Sequence, residues 1–185
     1  MVSLTTLWAP ILLSAIAVFL ASSLIHMVLP YHHNDYRKVP SEDAVMDALR
    51  KFGIGPGDYM MPRPDTRDAM KSPEFRAKLD RGPVAMMTVM SGGFTMGKRL
   101  AQWFVYLIVV GIVAALVVGS TLGRGADRHS VFHAVALVAF AGYGLALWQN
   151  SIWYSRSWST TIKSTVDAAV YALATALIFA WLWPR

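Results

Sequence analysis

The sequence predicts an all-α integral membrane protein: a four-transmembrane-helix bundle with a small cytoplasmic insert between helices one and two. Composition gives the first reason. Of the 185 residues 55% are hydrophobic and 15% charged, and the mean hydropathy of +0.42 lies on the apolar side of soluble proteins. The second is residues 100–122, which contain no Asp, Glu, Lys, Arg or His. As a helix that stretch is about 34 Å long, enough for the roughly 30 Å hydrocarbon core of a bilayer. The third is charge segregation: residues 31–99 hold 12 of the 17 Lys and Arg and 9 of the 11 Asp and Glu.

Residues 1–30 form the first span. From residue 4 to residue 29 there is no acid, Lys or Arg, and Pro30 ends the run. No basic residue precedes it and its apolar part outlasts a secretory h-region, so it reads as a helix that stays rather than a signal peptide. Residues 31–99 form the insert, with two short helices. One starts at Ser41 with Glu42 and Asp43 in its first turn, lines Val45, Leu49 and Phe52 on one face and stops at Gly53. The other starts at Ser72 with Pro73 and Glu74 and closes before Gly82 and Pro83. Two apolar runs, residues 57–62 and 84–90, either pair as strands or lie flat on the membrane surface; periodicity does not separate these. Residues 100–185 form a three-helix transmembrane segment over about 100–122, 131–153 and 164–183. Its short turns make the three helices antiparallel neighbours.

Orientation follows from the basic residues. With residues 31–99 and the 154–165 turn cytoplasmic, 14 Lys and Arg lie inside and three, Arg124, Arg128 and Arg185, lie outside. Both termini then face outward. Ser164, Ala168, Ala172, Ala176 and Ala180 recur every fourth residue on helix four, a packing face of the kind that lets helix backbones approach in lipid. Gly111, Ala115 and Gly119 on helix two and Gly142 with Ala146 on helix three repeat that spacing. Packing within the bundle is the expected use of these faces, with contact to another subunit as the alternative.

The chemistry-bearing residues gather at the expected cytoplasmic side. Gln102, Gln149, Asn150, Lys163 and Asp167 form a polar interface cluster, in which Lys163 stands four residues before Asp167 and is able to neutralise it. His26, His32, His33 and Asp35 offer nitrogen and oxygen ligands suited to a divalent metal, without the spacing of a tight motif. Mutual and headgroup hydrogen bonding is the competing use. His129 and His133 are a weaker pair at helical spacing. A single haem between His26 and His133 is disfavoured, because one lies late and the other early in parallel spans, roughly 25 Å apart or more. The absence of cysteine excludes disulfides, thiolate metal sites and cysteine catalysis. A mid-bilayer zone without charge disfavours a pump or secondary transporter acting alone. Met60, Met61, Met86, Met87, Met90 and Met96 sit in apolar runs, where packing or membrane contact outweighs copper(I) handling.

Met96-Gly97-Lys98 followed by Trp103-Phe104-Val105-Tyr106, and the stretch from Trp148 through Tyr154 with Arg156, Trp158, Thr160 and Lys163, give the chain a further likeness. In these it resembles a group of uncharacterised four-span bacterial inner-membrane proteins. The resemblance implies a bacterial inner membrane and lends no activity, cofactor or catalytic residue. The charge-free midplane, the small-residue faces and a compact insert without a catalytic grouping give the expectation of a non-enzymatic accessory or scaffolding subunit of a larger membrane complex, embedded in lipid beside a protein partner or as a homo-oligomer. The basic pI near 9.8 does not point to nucleic acid, because the insert's charge is of mixed sign. Two alternatives stand beside this: a metal-dependent or lipid-modifying activity at the cytoplasmic interface built on His26, His32, His33 and Asp35 with Asp167, and an oligomeric small-solute transporter.

Overall fold

A computed structural model describes residues 1–93 and 95–185. The chain is 68% helical and divides into two compact units, one of Met1–Tyr36 with Thr95–Arg185 and one of Arg37–Phe94. Residues 31–36, which a sequence boundary at Pro30 assigns to the insert, belong with the first unit.

The first unit holds four helices long and apolar enough to cross a membrane, over Leu4–Val28, Met96–Thr121, Arg128–Tyr154 and Trp158–Trp181. Within them lie α1 (Trp8–Ser23), α4 (Met96–Thr121), α5 (Arg128–Tyr143), α6 (Trp148–Tyr154) and α7 (Trp158–Trp181). The third span is not one straight helix. Gly142 and Gly144 flank Tyr143, α5 ends there, and a 3-10 turn over Leu145–Leu147 leads into α6, as glycines in a helix commonly allow. The fourth helix begins earlier than its apolar run, at Trp158, because Ser151 and Thr161 share a hydrogen bond of 2.7 Å and Trp148 Nε1 donates to Thr165 Oγ1 at 3.1 Å. Those bonds satisfy polar groups that hydropathy alone reads as turn.

Helices α1, α4, α5 and α7 close a ring in which α1 packs on α4 and α7, and α5 packs on α4 and α7. One core layer contains Leu7, Ile11, Ala115, Val118, Val135 and Phe179, and a second contains Val18, Leu107, Ala139, Tyr143, Tyr171 and Ala172. Small residues set the spacing. Ala168, Ala172, Ala176 and Ala180 are buried and Ser164 partly so, which places the fourth-residue stripe of α7 inside the bundle. A Cβ at Gly119 would stand 2.8 Å from Val2 O, and one at Gly144 would stand 3.0 Å from Ala168 Cβ. At the far end, Trp183 Nε1 donates to Gly123 O at 3.0 Å and Gly125 N to Pro184 O at 2.9 Å, so the tail is tied to the turn between α4 and α5.

The second unit contains α2 (Glu42–Arg50), β1 (Gly57–Met61), α3 (Pro73–Arg81) and β2 (Ala85–Val89). The chain is therefore not all-α. The two apolar runs pair as an antiparallel sheet, with Tyr59 opposite Met87 and Gly57 opposite Val89. Ser72 caps α3 by accepting from Phe75 N at 3.1 Å, with Pro73 in the first helical position. Ser41 does not cap α2. It adopts a left-handed conformation (φ 51, ψ 49) and its side chain makes no capping hydrogen bond; the acids Glu42 and Asp43 complement the helix start instead.

Candidate functional site

The site is built where the first span ends. From Leu24 to Val28 the backbone makes one π turn, closed by Leu29 N donating to Leu24 O at 3.1 Å. Leu29 is extended (φ −81, ψ 142), as the residue before a proline prefers, and Pro30–His32 forms a 3-10 turn. The widened turn and the proline-led turn fold the chain back on itself. The rings of His26 and His32 consequently lie 4.2 Å apart between centroids, tilted by 30°.

His32 is the hub. Its Nδ1 lies 2.6 Å from Asp35 Oδ2, and its Nε2 lies 2.9 Å from Asp167 Oδ2 on α7. His26 Nε2 faces the same Asp167 oxygen at 3.8 Å. Lys163, one turn earlier on α7, donates to Asp35 Oδ1 at 2.9 Å and to Tyr31 O at 2.7 Å. The side chains of His32 and Asp35 are each 10% exposed, that of Asp167 6% and that of His26 47%.

Charge balance explains how these groups tolerate burial. Both His32 nitrogens face carboxylate oxygens, so both contacts need a proton: an imidazolium between two carboxylates, or the same proton shifted onto one acid. Either way Asp35, His32 and Asp167 together carry one negative charge, and Lys163 cancels it. A neutral, fully hydrogen-bonded group survives desolvation that an isolated buried carboxylate would not. Burial pushes the Asp35 carboxyl up, but the hydrogen bonds from His32 and Lys163 outweigh it and hold the group below the usual carboxylate range.

Behind the cluster the bundle closes with aromatic rings. Tyr171, one turn beyond Asp167, packs edge-on to Trp103 and Tyr143 at 6.0 and 5.8 Å, and Trp103 Nε1 donates to Ser22 Oγ at 2.9 Å. The Tyr171 hydroxyl is buried without a hydrogen-bond partner among the described residues. Among the described residues, the two core layers contain no Asp, Glu, Lys, Arg or His.

Of the histidine group expected from sequence, His26 and His32 converge. Asp35 lies on the Nδ1 side of His32, opposite the nitrogen that meets Asp167, and His33 is exposed and outside the group. Of the polar interface cluster, Lys163 and Asp167 join the site, whereas Gln102 and Gln149 are exposed and Asn150 serves through its backbone carbonyl, which accepts from Arg156 N at 3.2 Å. Two chain segments build the site, residues 26–35 and α7. Lys163 pairs with Asp35 rather than with Asp167, its neighbour at helical spacing. His129 and His133 face each other with Nε2 atoms 3.0 Å apart on exposed turns of α5. Asp127, the acid beside them, is occupied in capping α5 by accepting from Ser130 N at 2.9 Å. Asp167, a lone acid at the start of an apolar run, is the residue that both histidines face, hydrogen-bonded to His32 and 3.8 Å from His26. The chain matches no family model, no curated protein and no solved structure.

Proposed function

We propose that this protein is a non-enzymatic accessory subunit of a bacterial inner-membrane complex, with both termini outside and residues 31–99 cytoplasmic, and that Arg37–Phe94 is the unit it presents to a protein partner. One observation carries the reading: among the described residues of Arg37–Phe94, none is fully buried. A unit of about 60 residues is marginal even with a good core. This one leaves Val45, Met46, Phe52, Met60 and Met86 exposed, and a partner that covers them supplies the missing burial.

The surface suits protein better than lipid. Its 10 Lys and Arg are interspersed with 8 Asp and Glu, whereas a lipid-binding face needs a basic side opposite an apolar one. Between α2 and the sheet runs an open cavity of about 380 Å³ lined by Met46, Leu49, Arg50, Ile54, Met87 and Val89. Methionine side chains of this kind adapt to the contours of a partner. The middle of the bundle is filled by aliphatic, small and aromatic side chains, which supports a packing role for it. The strong bias of Lys and Arg toward residues 31–99 supports the orientation.

The test is native mass spectrometry after gentle release from the source membrane, for the wild type and for a Met46→Asp, Met87→Asp double variant. The expected result is stoichiometric extra protein mass on the wild type that the double variant loses, with hydrogen-exchange protection of the sheet amides intact. A bare chain in both samples sinks the reading, and so does immersion in lipid of a spin label placed at position 46.

A further inference from the structure

We infer that His26 Nε2, His32 Nε2 and Asp167 Oδ2 form a binding site for one first-row divalent cation of the zinc class, with Asp35 orienting His32 from behind. The three donor atoms lie within 4.8 Å of one another. Ligands held about 2.0–2.1 Å from a tetrahedral zinc are separated by about 3.3 Å, and the observed 2.9 and 3.8 Å contacts to Asp167 bracket that value. Small side-chain shifts suffice. In the ion's absence a proton shared by His32 and Asp167 takes its place.

The decisive residue is His26. A purely structural network already satisfies His32, Asp35, Asp167 and Lys163, and gains nothing from a second imidazole. At 3.8 Å, His26 Nε2 is too far from Asp167 Oδ2 for a hydrogen bond, yet it faces that oxygen across the gap, and its ring lies 4.2 Å from that of His32 between centroids, tilted by 30°. This is the posture of a third ligand. The His32–Asp35 contact at 2.6 Å is the carboxylate–histidine arrangement that orients a metal-bound imidazole and raises its basicity. Two imidazoles and a carboxylate suit zinc and neighbouring first-row ions rather than calcium or magnesium. The exposed side of His26 gives the ion an entrance and leaves a coordination position open to water or an anionic ligand.

The experiment strips the full chain in detergent with a chelator, dialyses it against Zn(II), and reads bound metal by mass spectrometry of the element and affinity by competition. Wild type is expected to hold one Zn(II) per chain. His26→Ala is expected to bind at least tenfold more weakly and Asp35→Asn roughly 10- to 100-fold more weakly. His129→Ala is expected to match wild type. His26 lies outside the hydrogen-bonded network, so His26→Ala keeps the metal-free melting temperature even where His32→Ala fails to fold. Absence of stoichiometric zinc on wild type overturns the inference, as does equal affinity of wild type and His26→Ala. A site lost in His129→Ala but kept in His26→Ala overturns it too.

Discussion

His32 and Asp167, 135 residues apart in sequence, meet at 2.9 Å between Nε2 and Oδ2, and this contact ties the segment after α1 to α7. It is a hydrogen bond between side chains that are almost wholly buried.

Removing either partner strands the other in a poorly solvated place. Asp167→Ala and His32→Ala are each expected to destabilise the bundle by about 3–5 kcal/mol. In the double variant the costs should not add, and a coupling of about 0.5–3 kcal/mol is expected. Denaturant unfolding in detergent, followed by helicity, checks this. Strictly additive costs would show that the contact contributes nothing to stability.

Asp127 gives a pH dependence at the other end of the bundle. Its hydrogen bonds with Ser130 hold the carboxyl below the usual carboxylate range. A depressed folded value means the cap contributes fully above the unfolded pKa of about 3.9 and is lost as pH falls through the folded one. Protection of the Ser130 amide, its exchange rate relative to the intrinsic rate at the same pH, should therefore fall on acidification below about pH 4. In Asp127→Asn, which keeps an acceptor but has no proton to gain, that protection should stay flat.

Two glycines on α4 should respond oppositely to alanine. At Gly119 the new methyl would meet Val2 O at 2.8 Å, and that backbone is itself held by Val2 N donating to Gly119 O at 2.8 Å. Gly119→Ala is expected to cost about 1–3 kcal/mol and to loosen the amino-terminal segment. Gly97 has nothing within 4 Å of its position, and Gly97→Ala should be neutral or stabilise by up to about 1 kcal/mol through helix propensity. Thermal melts of the two variants decide the matter.

The two insert helices show what local pattern conveys and where it fails. Serine followed by acids marked both starts, yet Ser72 caps α3 and Ser41 does not cap α2. Composition places a helix boundary within a residue or two, while the cap depends on φ and ψ of one residue that its neighbours in space adjust. Lys163 teaches the same lesson. Helical spacing favours Asp167, a preference worth only about 0.2–0.5 kcal/mol. A partly buried pairing with Asp35, joined by a hydrogen bond to Tyr31 O, outweighs it.

The sequence by itself determined four apolar spans, the concentration of charge in residues 31–99 and the histidine-rich stretch after the first span. These are legible because bilayer thickness and the cost of desolvating charge act on each segment separately. Only the tertiary structure decided that the Ala stripe of α7 faces inward, that residues 57–61 and 85–89 pair, and that Asp167 is the oxygen on which His26 and His32 converge. Such outcomes depend on the rotation of each helix about its axis. A single π turn at Leu24–Val28 changes that rotation for everything beyond it, and no spacing rule within the stretch records the partner it turns to face.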